Sequence, residues 1–122
     1  MDPHYQIERT TQRTGSTVHL RLIGAFDRDT DRVLRAGMRD AFASGRRGHR
    51  VVIDVRQVES IGSESIDLLL VGYTRAVRGG HGYEIVNAHG HVRQALALTG
   101  LVEPDALYAP AWADEVIAEH TV

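Results

Sequence analysis

The chain of 122 residues contains no cysteine, which removes disulfides, thiolate metal sites and cysteine nucleophiles together. It contains no lysine either; all 14 basic residues are arginine, a usage that points to a GC-rich genome rather than to a chemistry. Aromatic residues make up only 6% and the net charge is −2, so the basic, aromatic-bearing surface that nucleic-acid binding wants is missing. No apolar run suits a membrane: the strongest, Ile66 to Gly72, is interrupted by Asp67 and falls far short of the ~20 residues a span requires. Met1-Asp2-Pro3-His4 does not open a basic region followed by an apolar core, so secretion is not indicated and the expected location is the cytoplasm.

What is present is ordinary for a globular protein, with 43% hydrophobic and 25% charged residues. A chain of this length is expected to form one domain over residues 1–122, burying on the order of two thirds of the surface its unfolded chain exposes. No repeat, linker or low-complexity segment interrupts it. Arg32, Arg35, Arg39, Arg46, Arg47 and Arg50 crowd one stretch, while Asp114, Glu115 and Glu119 make the C-terminus acidic; the first cluster reads as a solvated helix face.

Tyr5, Ile7 and Val18, Leu20, Leu22 alternate with polar residues on either side of Thr14-Gly15-Ser16, the pattern of a hairpin of half-buried strands. After a turn at Gly24-Ala25-Phe26-Asp27 the period changes. Val33, Leu34, Gly37, Met38, Ala41 and Phe42 recur at helical spacing, with Asp29, Thr30 or Asp31 as caps and Ser44-Gly45 as a stop. Val51 to Val55, β-branched and apolar but for Asp54, reads as a central strand covered on both faces, with Asp54 hydrogen-bonded at the strand end.

A short loop through Gln57 to Gly62 leads into a second helix, expected to bury Ile66, Leu69, Leu70, Tyr73 and Val77 and to stop at Gly79-Gly80. Tyr83, Ile85 and Val86 read as a strand, and Asn87 to Leu98 as a third helix closed by Gly100 and Pro104. Ala106-Leu107-Tyr108 is expected to be a last strand and Trp112 to His120 a terminal helix, whose exposed apolar residues would support a homodimer. The order implies an α/β fold, a mixed sheet of about five strands joined by right-handed crossovers, with about four helices mainly on one face.

The loop into the second helix is the chemically suggestive part. Gly62-Ser63-Glu64-Ser65 places hydroxyls and an acid beside unpaired backbone N–H groups at a helix start, where negative charge is favoured. The plain structural reading makes Ser63 the N-cap and Glu64 a favourable first-turn acid. Other motifs carry less. Asp27-Arg28-Asp29-Thr30-Asp31 has Arg32 where a calcium loop needs glycine and Met38 where it needs glutamate. His89-Gly90-His91 lacks further ligands nearby in sequence and reads as solvent-facing, so no metal and no cofactor is expected. Gly79-Gly80-His81-Gly82 lacks phosphate-loop spacing. Tyr73, Tyr83 and Trp112 read as core or subunit contacts.

The element order, Gly24-Ala25-Phe26-Asp27, the segment 51–70, and Asn87 through Leu96-Ala97-Leu98-Thr99-Gly100-Leu101 together resemble the STAS domain of bacterial anti-sigma factor antagonists, over a core of about residues 5–118. The resemblance implies partner switching. The unphosphorylated domain binds an anti-sigma factor that is itself a serine/threonine kinase, releasing a sigma factor, and phosphorylation on the central loop ends the binding. The usual family loop, Asp-Ser-Ser/Thr-Gly-Leu, falls on Gly62, Ser63, Glu64, Ser65 and Ile66, so the phospho-acceptor position holds Glu64.

Glu64 is then a candidate built-in phosphomimic, and Ser63 and Ser65, both expected to be exposed, are the phosphorylation candidates. The implied partner surface comprises Asp27, Gly62, Ser63, Glu64, Ser65 and Ile66 with the outer side of the second helix. Asp27 matches the family's acid in Gly-x-x-Asp, although Ala25 stands where glutamate is usual. A second reading is a STAS accessory subunit of a lipid-transport ATPase. A third, of another class, is a nucleotide-binding or enzymatic domain, for which no nucleophile-base pair, metal constellation or phosphate loop is visible. The expectation is a non-enzymatic regulator without direct contact to nucleic acid or membrane.

Overall fold

The computed structural model describes residues 5–12 and 15–102. The chain forms β1 (Tyr5–Thr11) and β2 (Thr17–Phe26), one 3-10 turn (Arg28–Thr30), α1 (Asp31–Ser44), β3 (Arg50–Ile61), α2 (Ser63–Gly79), β4 (Tyr83–Val86) and α3 (Gly90–Ala97). The sheet order is β1-β2-β3-β4, with β1 antiparallel to β2 and the other pairs parallel. This is the expected mixed α/β architecture. The strand at 106–108, the helix at 112–120 and Thr14 of the hairpin turn lie outside the described residues.

Alternation decides which side of the sheet is buried. Val18, Leu20 and Leu22 of β2, Val51, Ile53 and Val55 of β3, and Ile85 of β4 join Leu34, Met38 and Ala41 of α1, Leu68 and Leu69 of α2, and Val92 and Leu96 of α3 in one cluster. All three helices therefore serve one face. On the other, Glu8, Arg21 and Asp54 are neighbours in register across β1, β2 and β3, and Arg21 pairs with Glu8 at 3.5 Å. The cover expected on both faces of β3 is not helical on this side: Val52 is buried between its register neighbours His19 and Glu84.

Three local expectations are corrected, the first two by long-range pairing. Gly24-Ala25-Phe26 is strand rather than turn, because register shifts at Arg21/Ile23 and Gly24/Ala25 absorb extra residues while Gly24 takes a φ of 101°, a conformation natural to glycine. Gln57 to Ile61 is strand rather than loop, since it continues to pair with Ile23 through Phe26. The third helix starts at Gly90, not Asn87, whose φ of 64° is left-handed.

The inward face of α2 also differs. Ser65, Leu68, Leu69, Gly72 and Ala76 are buried; Leu69 is as expected, but the face as a whole lies one position out of step with the expected set. The reason is close packing: a Cβ at Gly72 would run into the Met38 Cε methyl and lie 2.9 Å from the Tyr83 hydroxyl. Small residues face the core, which leaves Tyr73 and Val77 52% and 63% exposed.

At the other helix, the Asp27 carboxylate accepts from the Asp29 N–H at 3.0 Å and so caps the 3-10 turn, in place of Asp29 or Asp31. Thr30 holds the N-cap position of α1 but makes no side-chain cap; its hydroxyl donates to the Asp27 carbonyl at 2.7 Å. Where α1 stops, at Gly45, a residue that periodicity does not mark takes over. His49 is buried, with Nε2 2.8 Å from the Ala41 carbonyl and Nδ1 2.7 Å from the Arg46 carbonyl, so it serves one of the carbonyls the helix leaves unpaired. His49→Ala is expected to cost about 2 kcal/mol by urea unfolding, combining lost packing with an unsatisfied buried carbonyl.

Candidate functional site

The parallel pairing of β2 with β3 brings their ends together, Phe26 beside Ile61, so the segment entering α1 and the start of α2 meet at one end of the sheet. The connection between β3 and α2 is Gly62 alone, which is the N-cap of α2 with φ −90° and ψ 168°. That extended conformation suits any residue, and a Cβ at Gly62 would have no neighbour nearer than 3.6 Å. The Gly62 N–H donates to the Phe26 carbonyl at 2.7 Å, and the Ser65 hydroxyl donates to the same oxygen at 3.3 Å. Phe26 thus anchors both the turn and the first turn of the helix.

This geometry separates the two serines. Ser65 is fully buried, contrary to the exposure expected of it, whereas Ser63 is exposed and lies inside the helix rather than capping it. The Ser63 hydroxyl donates to Glu64 Oε2 at 3.3 Å, and Arg28 Nε lies 3.6 Å from Glu64 Oε1. The Glu64 carboxyl is held below its ordinary value chiefly by its own backbone N–H; burial, the next largest influence, opposes this, and the Ser63 hydroxyl and the Arg28 guanidinium add to the lowering. The site therefore carries a fixed negative charge at a helix start. Asp27 stands beside it, its Cα 3.6 Å from where a Cβ of Gly62 would be.

Asp27, Gly62, Ser63, Glu64 and Ser65 are thus brought together, with Ile66 half-buried at the head of α2. Arg28 is the member that sequence reasoning missed. The only signal available was its adjacency to Asp27 at the end of β2. From Ile66 an apolar stripe continues outward through Leu70, Tyr73 and Val77, at helical spacing along one side of α2.

The remaining polar candidates are structural. His89 Nε2 lies 2.8 Å from the Arg56 carbonyl and His91 Nε2 2.9 Å from the Glu59 carbonyl, along the stretch of β3 that β4 does not reach. The pair ties α3 to β3 rather than simply facing solvent. Among the described residues no group of three or more His, Cys, Asp or Glu side chains is placed to hold a metal, and no helix is long and apolar enough to cross a membrane.

Asp54 accepts from the Arg56 N–H at 3.0 Å and from Asn87 Nδ2 at 3.1 Å. Burial raises its pKa as the largest single influence, but those two hydrogen bonds and the Arg56 and Arg21 charges together take it below its ordinary value of 3.8. A carboxylate depressed in this way stabilises the fold above the unfolded value and loses that contribution as pH falls through the folded one. Asp54→Asn should therefore be less stable than wild type at pH 7, with the gap in urea midpoint closing below about pH 4.

A family model described as Mlab, STAS domain, matches residues 10–108. Among solved structures, an anti-sigma factor antagonist from Mycobacterium paratuberculosis is similar at 23% identity and a TM-score of 0.67, covering 80% of this chain and 79% of that one. The anti-sigma factor antagonist SpoIIAA in its unphosphorylated form is similar at 26% identity and a TM-score of 0.61, covering 80% and 81%. The Bacillus cell fate determinant SpoIIAA in its phosphorylated form gives 20% identity, a TM-score of 0.61 and coverage of 80% and 84%. No curated protein matches the chain. With its mixed sheet, one-sided helices and a family match across most of its length, the chain belongs to the STAS domain family.

Proposed function

We propose that the chain is a single-domain, cytoplasmic anti-sigma factor antagonist that acts by partner switching, without catalysis of its own. The observation that carries this reading is the charged helix start at Glu64, beside an exposed Ser63 and leading into an exposed apolar stripe. SpoIIAA has been solved in an unphosphorylated form, similar at 26% identity, and in a phosphorylated form, similar at 20%, which supports a surface of this kind being read by its charge. Here the acceptor position carries about −1 permanently, against roughly −1.5 to −2 for a phosphate.

On this reading the partner is an anti-sigma factor with serine/threonine kinase activity. It meets Asp27, Gly62, Ser63, Glu64 and Ile66 first and then Leu70, Tyr73 and Val77 of α2. Ser65 contributes from beneath by holding the helix start to Phe26. Of the two candidate serines, Ser63 is the one a kinase would reach without unwinding the first turn of α2.

The test is affinity capture of the tagged protein from its own cells, with phosphate mapping by mass spectrometry. Recovery of a kinase-type anti-sigma factor, with any phosphate confined to Ser63, is the expected result. Recovery of transporter subunits without a kinase would replace this reading by that of an accessory subunit of a lipid-transport ATPase.

A further inference from the structure

β1 is the outer strand of the sheet, and among the described residues its far edge pairs with nothing. Beside that edge, between β1 and α1, runs a groove of about 560 Å³, within the size range of ligand sites. Ile7, Leu20, Val33, Ala36 and Gly37 make it apolar, and Val33 is 37% exposed there. Arg9 and Arg32 also line it, and among the described residues neither has an ion pair. The one acid in the lining, Asp40, is engaged by Arg39 at 3.8 Å.

Gly37 is the informative residue. Glycine within a helix is unfavourable, and it is usually retained for a packing or functional reason. Gly72 has a packing reason. Gly37 does not: a Cβ there would touch only the Ile7 side chain at 3.5 Å, an ordinary contact. What a methyl group would do is make the groove shallower.

We infer that the outer edge of β1 and the groove beside it bind an extended, acidic segment of a partner protein, which adds to the sheet as a further strand along β1. Side chains of such a segment point into the groove at every second position. Ile7 and Arg9 stand two residues apart on β1, both on the helix-facing side. The segment that fits carries an apolar residue to sit over Gly37 and an Asp or Glu two positions away to meet Arg9 or Arg32. The surface shares no residue with the Glu64 site, so either can be lost without the other.

A random-heptapeptide display library selected on the full chain tests this directly. The expected consensus is an apolar residue with Asp or Glu two positions away. NMR shifts caused by the best peptide should centre on β1 and the first half of α1. Methylating alternate backbone nitrogens of that peptide should weaken it at least about tenfold, because strand addition needs those N–H donors. Gly37→Ala should raise the melting temperature by about 4 °C yet weaken the peptide comparably, which separates groove filling from misfolding. The double variant Arg9→Glu/Arg32→Glu should shift the consensus to basic residues.

A consensus without acids, or binding indifferent to N-methylation or to Gly37→Ala, would overturn the inference. So would displacement of the peptide by self-association of the chain, or binding that occurs only after removal of residues 103–122, since a second copy or the chain's own terminus would then be the occupant.

Discussion

Gly72→Val is expected to destabilise the protein by about 3 kcal/mol or more, the largest effect of any single substitution argued from the core. Gly72 is the point where α2 crosses close to α1 and to the sheet. A Cβ there would overlap the Met38 Cε methyl and approach the Tyr83 hydroxyl to 2.9 Å and its Cε2 to 3.3 Å. Met38 can swing its flexible end away. Tyr83 cannot yield as easily, because its half-buried side chain packs against the core and its hydroxyl donates to the Leu69 carbonyl at 2.8 Å. Burial pushes that phenol well above its ordinary range, which favours the protonated, donating form.

Urea unfolding measures the loss. Gly72→Ala offers the milder version, in which the helix-propensity gain of alanine, about 1 kcal/mol, offsets part of the overlap. A valine variant within 1 kcal/mol of wild type would mean that α2 slides outward at little cost, and the account of its burial would fail.

The same residue explains why the face of α2 was not legible. Hydrophobic periodicity ranks Ile66, Leu69, Leu70, Tyr73 and Val77 as a core stripe because they are large, and of these only Leu69 is fully buried. The helix instead buries Ser65, Gly72 and Ala76 with two leucines, since small residues let it approach the sheet. A pattern of large apolar residues one step out of phase with a pattern of small ones is ambiguous from sequence alone, and close approach decides it.

The strands were easier. Alternation in β2 and the β-branched run at 51–55 located them, because those signals are local. Their extension to Phe26 and Ile61 was not local: two register shifts and the positive φ of Gly24 keep the strands paired where turn residues suggested they had ended. The site divided in the same way. Ser63 and Glu64 were identifiable at a helix start. Arg28 and the Phe26 carbonyl enter only because parallel pairing brings two distant segments side by side.

Glu64→Ser should tighten binding to the captured anti-sigma factor by at least about tenfold and make the chain a substrate for it. The carboxylate now lies at the N-terminus of α2, held charged by its own backbone N–H, by Ser63 and by Arg28. A partner that docks there must desolvate that charge or supply a cation for it. Leaving a carboxylate covered and imperfectly paired costs more than the about 1–3 kcal/mol of a neutral group, so a small neutral hydroxyl would recover about tenfold or more.

The substitution leaves Ser65 and Gly62 bonded to Phe26, so the helix start keeps its place. Arg28, freed from Glu64, stays within reach of whatever charge is added to the new hydroxyl. Phosphate transfer by the captured partner should then restore weak binding, and the further change Arg28→Ala, which removes the cation that offsets the added charge, should weaken the phosphorylated form further while leaving the unphosphorylated affinity within about twofold. Calorimetric affinities before and after incubation with the partner and nucleoside triphosphate read all of these. Unchanged affinity together with no phosphate incorporation would remove Glu64 from the switch, and the charge at the head of α2 would then serve the helix alone.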